Sequence, residues 1–272
     1  MTDATAPDPI GSTALRLVGG DALALLHRIS TNALLDLRPG EARGTLFCDF
    51  RGRLQHRAVV NLEADRVVWL LRDDAPGETL AAFIDRHVFR DDVRLEDRSR
   101  DLLVRRTDPE HAPPPGIPGS VRLEDEMLAI AADPGIVASE LERIRAGRPA
   151  HGHEIVDEFN PFEVGLANEV HLDKGCYTGQ EALQRLTTYR SVRRTLIRAT
   201  GTGIPPAVPQ DLSGGATVGR VTSAAAIPGS PPTWMGLAVV RLDALENASP
   251  LAVGGESVVH VERIPARRPV GR

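Results

Sequence analysis

The sequence predicts an α+β chain, with an N-terminal α/β region over residues 1–189 and a small antiparallel β-barrel over residues 190–272. Three observations lead there. Over the first two-thirds, strand-like runs alternate with stretches whose apolar residues recur at helical spacing. From Ser191 onward that spacing stops, and strand-like runs are broken by glycine and proline, as in Gly201 to Pro209, Gly214-Gly215 and Pro228 to Pro232. The hydrophobic fraction of 42% and charged fraction of 25% are those of an ordinary folded chain, and nothing in that balance favours collagen, coiled coil or disorder. At 272 residues there is room for two domains.

Taken in order, Asp21 caps a short helix whose residues Leu23, Leu25, Leu26 and Ile29 favour one side. Thr45 to Phe50 and Leu54 to Asn61 read as strands joined by an Arg51-Gly52-Arg53 turn, and Arg66 to Leu71 as another. Glu78 to Phe89 returns to helical spacing, with Leu80, Phe83, Ile84 and Val88 on one stripe. Val93 to Glu96 and Leu102 to Arg105 are short strands, and the proline-rich stretch from Pro109 to Gly119 is a surface connection. Val121 to Leu123 and Met127 to Ala131 flank Glu124-Asp125 as a second hairpin. Ser139 caps a helix that Gly147 ends, with acids early and arginines late, as the helix dipole favours.

Net charge is −5, so no global basic field exists to hold nucleic-acid phosphates. No run approaches the roughly 18 apolar residues of a membrane-spanning helix. Met1 to Pro9 has neither the basic start and apolar run of a secretory signal nor the arginines of a transit peptide. Cys48 and Cys176, far apart in unlike contexts, do not make a disulfide framework, nor can two cysteines alone supply a four-cysteine cluster site. The expected compartment is the cytoplasm.

The densest signal is Lys174-Gly175-Cys176-Tyr177-Thr178-Gly179-Gln180-Glu181. Thr178 and Glu181 have capping-box spacing, so a helix is expected to start after Thr178. Cys176 then precedes a helix N-terminus and lies two residues from Lys174, and both neighbours favour thiolate over thiol. A helix end contributes about 0.3–1 kcal/mol and one pKa unit corresponds to about 1.4 kcal/mol, so the expectation is a moderately activated thiol. Against this stands the plainer alternative that Cys176 fills a small apolar gap and the glycines serve the turn.

The octapeptide resembles the signature of the YgfZ family, and the resemblance extends over most of the chain. Arg145 to Pro149, Gly152 to Glu154 and Asn160 to Leu166 resemble a segment shared by YgfZ-like proteins and the glycine-cleavage T-protein. Gly20-Asp21-Ala22 with Thr31-Asn32 resembles their N-terminal helix and its exit; Gly219 to Ser223 and Gly236 to Ala238 resemble their C-terminal barrel. The resemblance implies an aminomethyltransferase-like fold and tetrahydrofolate, or a derivative, as cofactor in the N-terminal region, with no permanently bound metal. It carries cofactor binding to Glu163, Tyr177, Gln180 and Glu181, and assigns a functional motif to Cys176 and Lys174. A glutamate at position 163 suits a pterin edge, whose two adjacent N–H donors a carboxylate accepts in a fork.

One departure bears on activity. T-proteins carry an aspartate pair just after the first hairpin turn, whereas this chain reads Gly52-Arg53-Leu54-Gln55-His56-Arg57. The resemblance therefore implies an accessory factor for maturation or repair of iron–sulfur proteins, with indirect effects on tRNA modification. The alternative is a folate-dependent aminomethyltransferase or other one-carbon transferase. The implied partners are reduced folate and iron–sulfur proteins or their assembly machinery, without a membrane and without direct nucleic-acid binding. His151-Gly152-His153, with Glu154 near, is a conceivable metal site on a strand, set against a structural role. The Arg190, Arg193 and Arg194 group is expected to be a solvated strand edge, although its charge would also suit a folate glutamate tail or RNA phosphate.

Overall fold

The computed structural model describes residues 11–124, 126–133, 139–246 and 250–271; the stretch Met1 to Pro9 and Asp125 of the second hairpin turn lie outside them. The chain is α+β and mostly antiparallel. It divides into two compact units, Met1–Thr45 with Arg57–Val137, and Leu46–His56 with Ala138–Arg272. The 189/190 boundary read from the sequence falls inside the second unit.

The first unit contains β1 (Thr13–Val18), α1 (Ala22–Ile29), most of β2 (Ala42–Cys48) and β3 (Leu54–Ala64), β4 (Val67–Arg72), α2 (Gly77–Asp85) and β5 (Arg94–Asp97). Its five-stranded sheet has the order β2-β3-β4-β1-β5, with β1 antiparallel to β4 in the register Leu15↔Leu70 and Leu17↔Val68. A second sheet, β6 (Leu103–Thr107), β7 (Gly119–Leu123) and β8 (Glu126–Ala131), has the order β6-β8-β7. The two share a core in which Ala14, Val59, Trp69 and Leu71 meet Val104, Val121, Leu128 and Ile130. Alternation along each strand puts these residues on one face, which is why the sheets stack.

Two local expectations are corrected here. Asp21 occupies the N-cap of α1 without a capping bond; its carboxylate accepts the Asp92 amide instead (2.8 Å). The helix expected to reach Phe89 ends at Asp85, with Arg86 as C-cap. The Asp91 carboxylate accepts the Phe89 amide (3.1 Å), the backbone departs from helical geometry, and Phe89 is left 91% exposed.

The second unit takes the tip of the β2–β3 hairpin and continues with α3 (Glu140–Arg145) and α4 (Gln180–Thr188). The strands β9 (Arg194–Thr202), β10 (Gln210–Ser213), β11 (Thr217–Ile227), β12 (Thr233–Arg241), β13 (Ala252–Val253) and β14 (Glu256–Arg263) follow. A short helix α5 (Leu242–Glu246), absent from the sequence reading, follows β12. The six strands close into a barrel in the order β10-β11-β12-β9-β14-β13. Alternate residues of β12 enter different cores. Trp234, Ala238 and Val240 fill the barrel with Ile197, Leu212 and Val253, while Leu237 and Val239 join an outer core with Ile144, Phe159, Val164 and Leu183.

A buried carboxylate ties α3 to the barrel. Ser139 caps α3 in a complete capping box with Glu142, and Gly147 takes φ 64° just past its end. From this helix Arg143 reaches Glu154 (3.1 Å), which is fully buried. Glu154 also accepts from the Ala150 amide (3.1 Å), the Ser223 hydroxyl (2.6 Å) and the Thr222 hydroxyl. Two consecutive β11 side chains reach one carboxylate because the strand is bulged between Val221 and Ser223. Removing one partner of such a buried pair leaves the other charge unanswered, at a cost of about 3–5 kcal/mol. Glu154→Ala should lower unfolding stability by about that amount in urea titration; a loss under about 1 kcal/mol would reduce Glu154 to a minor contact.

Candidate functional site

The motif loop is built on two glycines in left-handed geometry, Gly175 at φ 106° and Gly179 at φ 85°. Gly179, not Thr178, is the N-cap of α4, which begins at Gln180 without a side-chain cap. The expected Thr178–Glu181 capping box therefore does not form. The reason is tertiary: a Cβ at Gly179 would come within 2.5 Å of the Asp49 carbonyl in the β2–β3 turn. Only glycine allows both this approach and the positive φ. Glu181 instead pairs with Arg185 on the exposed face of α4. Gln180 donates through Nε2 to the Leu172 carbonyl (2.9 Å), and Gln184 does the same (3.0 Å), so α4 is tethered to the chain entering the motif.

Within the loop, Cys176 is exposed, which removes the alternative that it fills an apolar gap; the buried cysteine is Cys48. Burial, with Asp49 beside it, pushes the Cys48 thiol far up and keeps it neutral. Tyr177 turns inward and is 8% exposed, and its phenol is pushed up by burial and by the neighbouring Cys48 and Asp173. Its hydroxyl is buried and meets no hydrogen-bond partner among the described residues. The Lys174 ammonium lies over the Tyr177 ring, 5.0 Å from its centroid. Burial lowers the Lys174 pKa from 10.5 to about 8. Lys174 is also the only lysine in the chain. Every other Lys-or-Arg position holds a guanidinium, which does not give up its proton near neutral pH, whereas this amine can.

The hairpin tip packs on the same loop. The Asp49 carboxylate accepts the amides of Arg51 (2.9 Å) and Arg53 (2.8 Å), and a Cβ at Gly52 would meet Leu183 of α4 at 3.0 Å. Beyond the turn, the Leu54 amide donates to the Phe159 carbonyl (2.9 Å). Arg53 then turns to the Glu158 carbonyl (2.8 Å) and to Glu163 (3.4 Å).

Glu163 is buried and bonded on most sides. Arg194 of β9 grips it with Nε to Oε1 (2.8 Å) and Nη2 to Oε2 (3.1 Å). Oε2 also accepts the Asn160 amide (3.0 Å), while Asn160 Oδ1 accepts the amides of Phe162 and Glu163. A carboxylate has about four lone-pair positions, and these bonds leave one on Oε1. Arg194 further donates to the Glu158 carbonyl (3.1 Å) and stacks 5.0 Å from the centroid of Phe159. This corrects the expectation of a solvated edge: Arg194 is an internal anchor, while Arg190 and Arg193 are exposed.

The His151-Gly152-His153 stretch forms a turn rather than a strand. There His153 Nδ1 engages the Thr222 carbonyl (2.8 Å), and Glu154 faces inward as described. No cluster of three or more metal-ligating side chains occurs among the described residues.

Sequence reading missed Arg53, Asp49 and the inward role of Arg194. A signal for part of this exists, since Asn160 and Glu163 stand at capping-box spacing and satisfy each other's amides. The partners from the hairpin and β9 have no local signal.

This architecture is the aminomethyltransferase-like fold. The chain is similar in structure to the glycine cleavage system aminomethyltransferase T of Bartonella henselae, with a TM-score of 0.74 over 95% of this chain and 84% of that one, at 15% identity. In sequence it is 34% identical over 155 residues to an aminomethyltransferase of Herpetosiphon aurantiacus, covering 55% of this chain and 40% of the relative. It is 47% identical over 79 residues to a putative chloroplastic transferase of Arabidopsis thaliana, covering 29% of this chain and 18% of the relative. The matched stretches thus span less than half the length of either relative. No protein-family profile matches the chain. No helix among the described residues is long and apolar enough to cross a membrane.

Lys174 gives a direct test of the loop's electrostatics, because its ε-amine is unique. After reductive methylation with labelled formaldehyde, the dimethyl-lysine resonance should titrate near pH 8 rather than 10.5. With the folded pKa below the unfolded one, the unfolded chain holds the extra proton between about pH 8 and 10.5, so the Lys174 contribution to stability should rise with pH across that window. An inflection at the ordinary lysine value would mean the ammonium is fully hydrated.

Proposed function

We propose that the chain is a YgfZ-type, tetrahydrofolate-binding accessory factor acting in maturation or repair of iron–sulfur proteins, among them tRNA-modifying enzymes, in the cytoplasm. The observation that carries this reading is the hairpin tip. Where a T-protein places its aspartates, residues 53–57 supply arginine, leucine, glutamine, histidine and arginine. The nearest acid in sequence, Asp49, stands before the turn rather than after it, and its Oδ1 accepts two amides of that turn. The exposed Cys176, two residues from Lys174 in sequence, supports a role for the motif loop in contact with a client protein or its cluster.

Two features suit a folate edge: the Tyr177 hydroxyl lacks a partner among the described residues, and Glu163 Oε1 retains a lone pair. One N–H can bind Oε1 directly. The two-donor fork requires Arg194 to swing off the carboxylate, making Arg194 the competitor that sets affinity. Calorimetry with tetrahydrofolate should show saturable binding that Glu163→Gln weakens by about 1.5–3 kcal/mol, the range for a charged hydrogen-bonding group. Equal affinity in the two proteins would take Glu163 out of the site.

The second reading is a one-carbon transferase, favoured by the transferase names of the sequence relatives. The two readings separate in one pair of assays. On an aminomethylated lipoyl carrier the chain should give no methylenetetrahydrofolate, and in a strain lacking its own copy it should restore iron–sulfur enzyme activity while Cys176→Ser does not. Turnover on the order of 1 per second or more would establish the transferase instead.

A further inference from the structure

The first unit contains a cavity of about 650 Å3 whose lining includes Ser12, Gly77, Glu78, Asp97, Ser99 and Arg105. Arg105, on β6, is only 7% exposed. A guanidinium carries five N–H donors, and the bond this one makes among the described residues is from Nη1 to the Val104 carbonyl (2.9 Å). The other deeply placed arginines are matched. Arg72 donates to Thr13 Oγ1 and the Pro76 carbonyl; Arg106 pairs with Asp73 and Glu126, and Arg143 with Glu140 and Glu154. Arg105 stands apart: its remaining N–H groups keep access to water through the cavity, and no carboxylate pairs with it among the described residues.

Two hydroxyls on the same cavity are poised in the same sense. Ser12 Oγ accepts the Val104 amide (3.0 Å) and Ser99 Oγ accepts the Ala14 amide (3.0 Å), which leaves each hydroxyl proton to be donated. Gly77 keeps the wall open, since a Cβ there would come within 2.9 Å of Ser99 Oγ. Toward solvent the cavity is lined by Glu78, Asp97 and Arg100, all exposed. The Arg105 guanidinium and the free hydroxyls thus line the inner side, while both carboxylates and Arg100 line the open side, with Asp97 joined to Ser99 by the amide its Oδ1 accepts (2.9 Å). The two acids balance the two arginines, which disfavours a bare multivalent anion and suits a ligand with charges of both signs.

We infer that this cavity binds a small organic oxyanion, a carboxylate or phosphate that also carries an ammonium group. The oxyanion meets Arg105 with the Ser12 and Ser99 hydroxyls, and the ammonium faces Glu78 and Asp97. This site shares no residue with the motif loop and does not rest on the folate reading.

The test is calorimetry on the full chain with L-glutamate, O-phospho-L-serine and inorganic phosphate at constant ionic strength. Glutamate or phosphoserine should bind one site with a Kd below about 10 mM and more tightly than inorganic phosphate. Preference between these two tells a carboxylate from a phosphate. Arg105→Met should weaken binding roughly tenfold or more, and Arg105→Lys less. Glu78→Gln, at the surface and facing the ammonium, should keep the fold and weaken binding about threefold, which keeps the inference testable if Arg105→Met fails to fold. Absence of saturable binding to wild type, or unchanged affinity in folded Arg105→Met or Glu78→Gln, would overturn it.

Discussion

The stretch between α3 and α4 depends on two buried carboxylates. Residues 146–179 contain one 3-10 turn and no regular helix or strand, an arrangement that inside a compact domain ordinarily lacks the bonds to hold it. Glu154 and Glu163 supply them. Each is removed from water, so each must be met by donors, and the donors come from distant parts of the unit: Arg143, Thr222 and Ser223 for one, Arg53 and Arg194 for the other. The need to satisfy two acids thereby fixes a long irregular segment against helix, hairpin and barrel. An acid without its donors would carry a desolvation cost larger than most single packing contacts return.

That arrangement also shapes the motif loop. The segment delivers the chain to Leu172, whose carbonyl takes the amides of Gln180 and Gln184, and the turn at Asp49 presses on Gly179. The result holds a thiol outside and a phenol inside, with an amine lying across the phenol ring. In a chain that otherwise uses arginine at every Lys-or-Arg position, the single lysine occurs where burial brings its pKa to about 8. The chemical distinction is reversibility, because a partly desolvated ammonium can lose its proton near neutral pH and a guanidinium does not.

What the sequence discloses and what it conceals follow one physical division. The hairpin around Arg51-Gly52-Arg53, the capped helix at Ser139 and the glycine-broken barrel strands obey rules that act over a few residues, and all are found as expected. The Thr178 capping box obeys the same kind of rule and fails, because the close approach of Asp49 converts Gly179 into the cap. The burial of Glu163 was not legible in the residues themselves, since its partners stand 110 and 31 positions away. The unmatched guanidinium of Arg105 was equally hidden: a lone arginine in a short strand reads as surface, and only the packed sheet shows it beside a cavity.

Strand β12 is a wall common to two cores, giving Trp234, Ala238 and Val240 to the barrel interior and Leu237 and Val239 to the layer outside it. Opening either core strips one side of this strand and weakens its ladders to β9 and β11, which also border the other core. The barrel and its covering layer therefore behave as one cooperative folding unit, with the amides of β12 among its slowest to exchange with solvent. A ligand that steadies the outer layer at Glu163 would slow proton exchange inside the barrel as well, without touching a residue there.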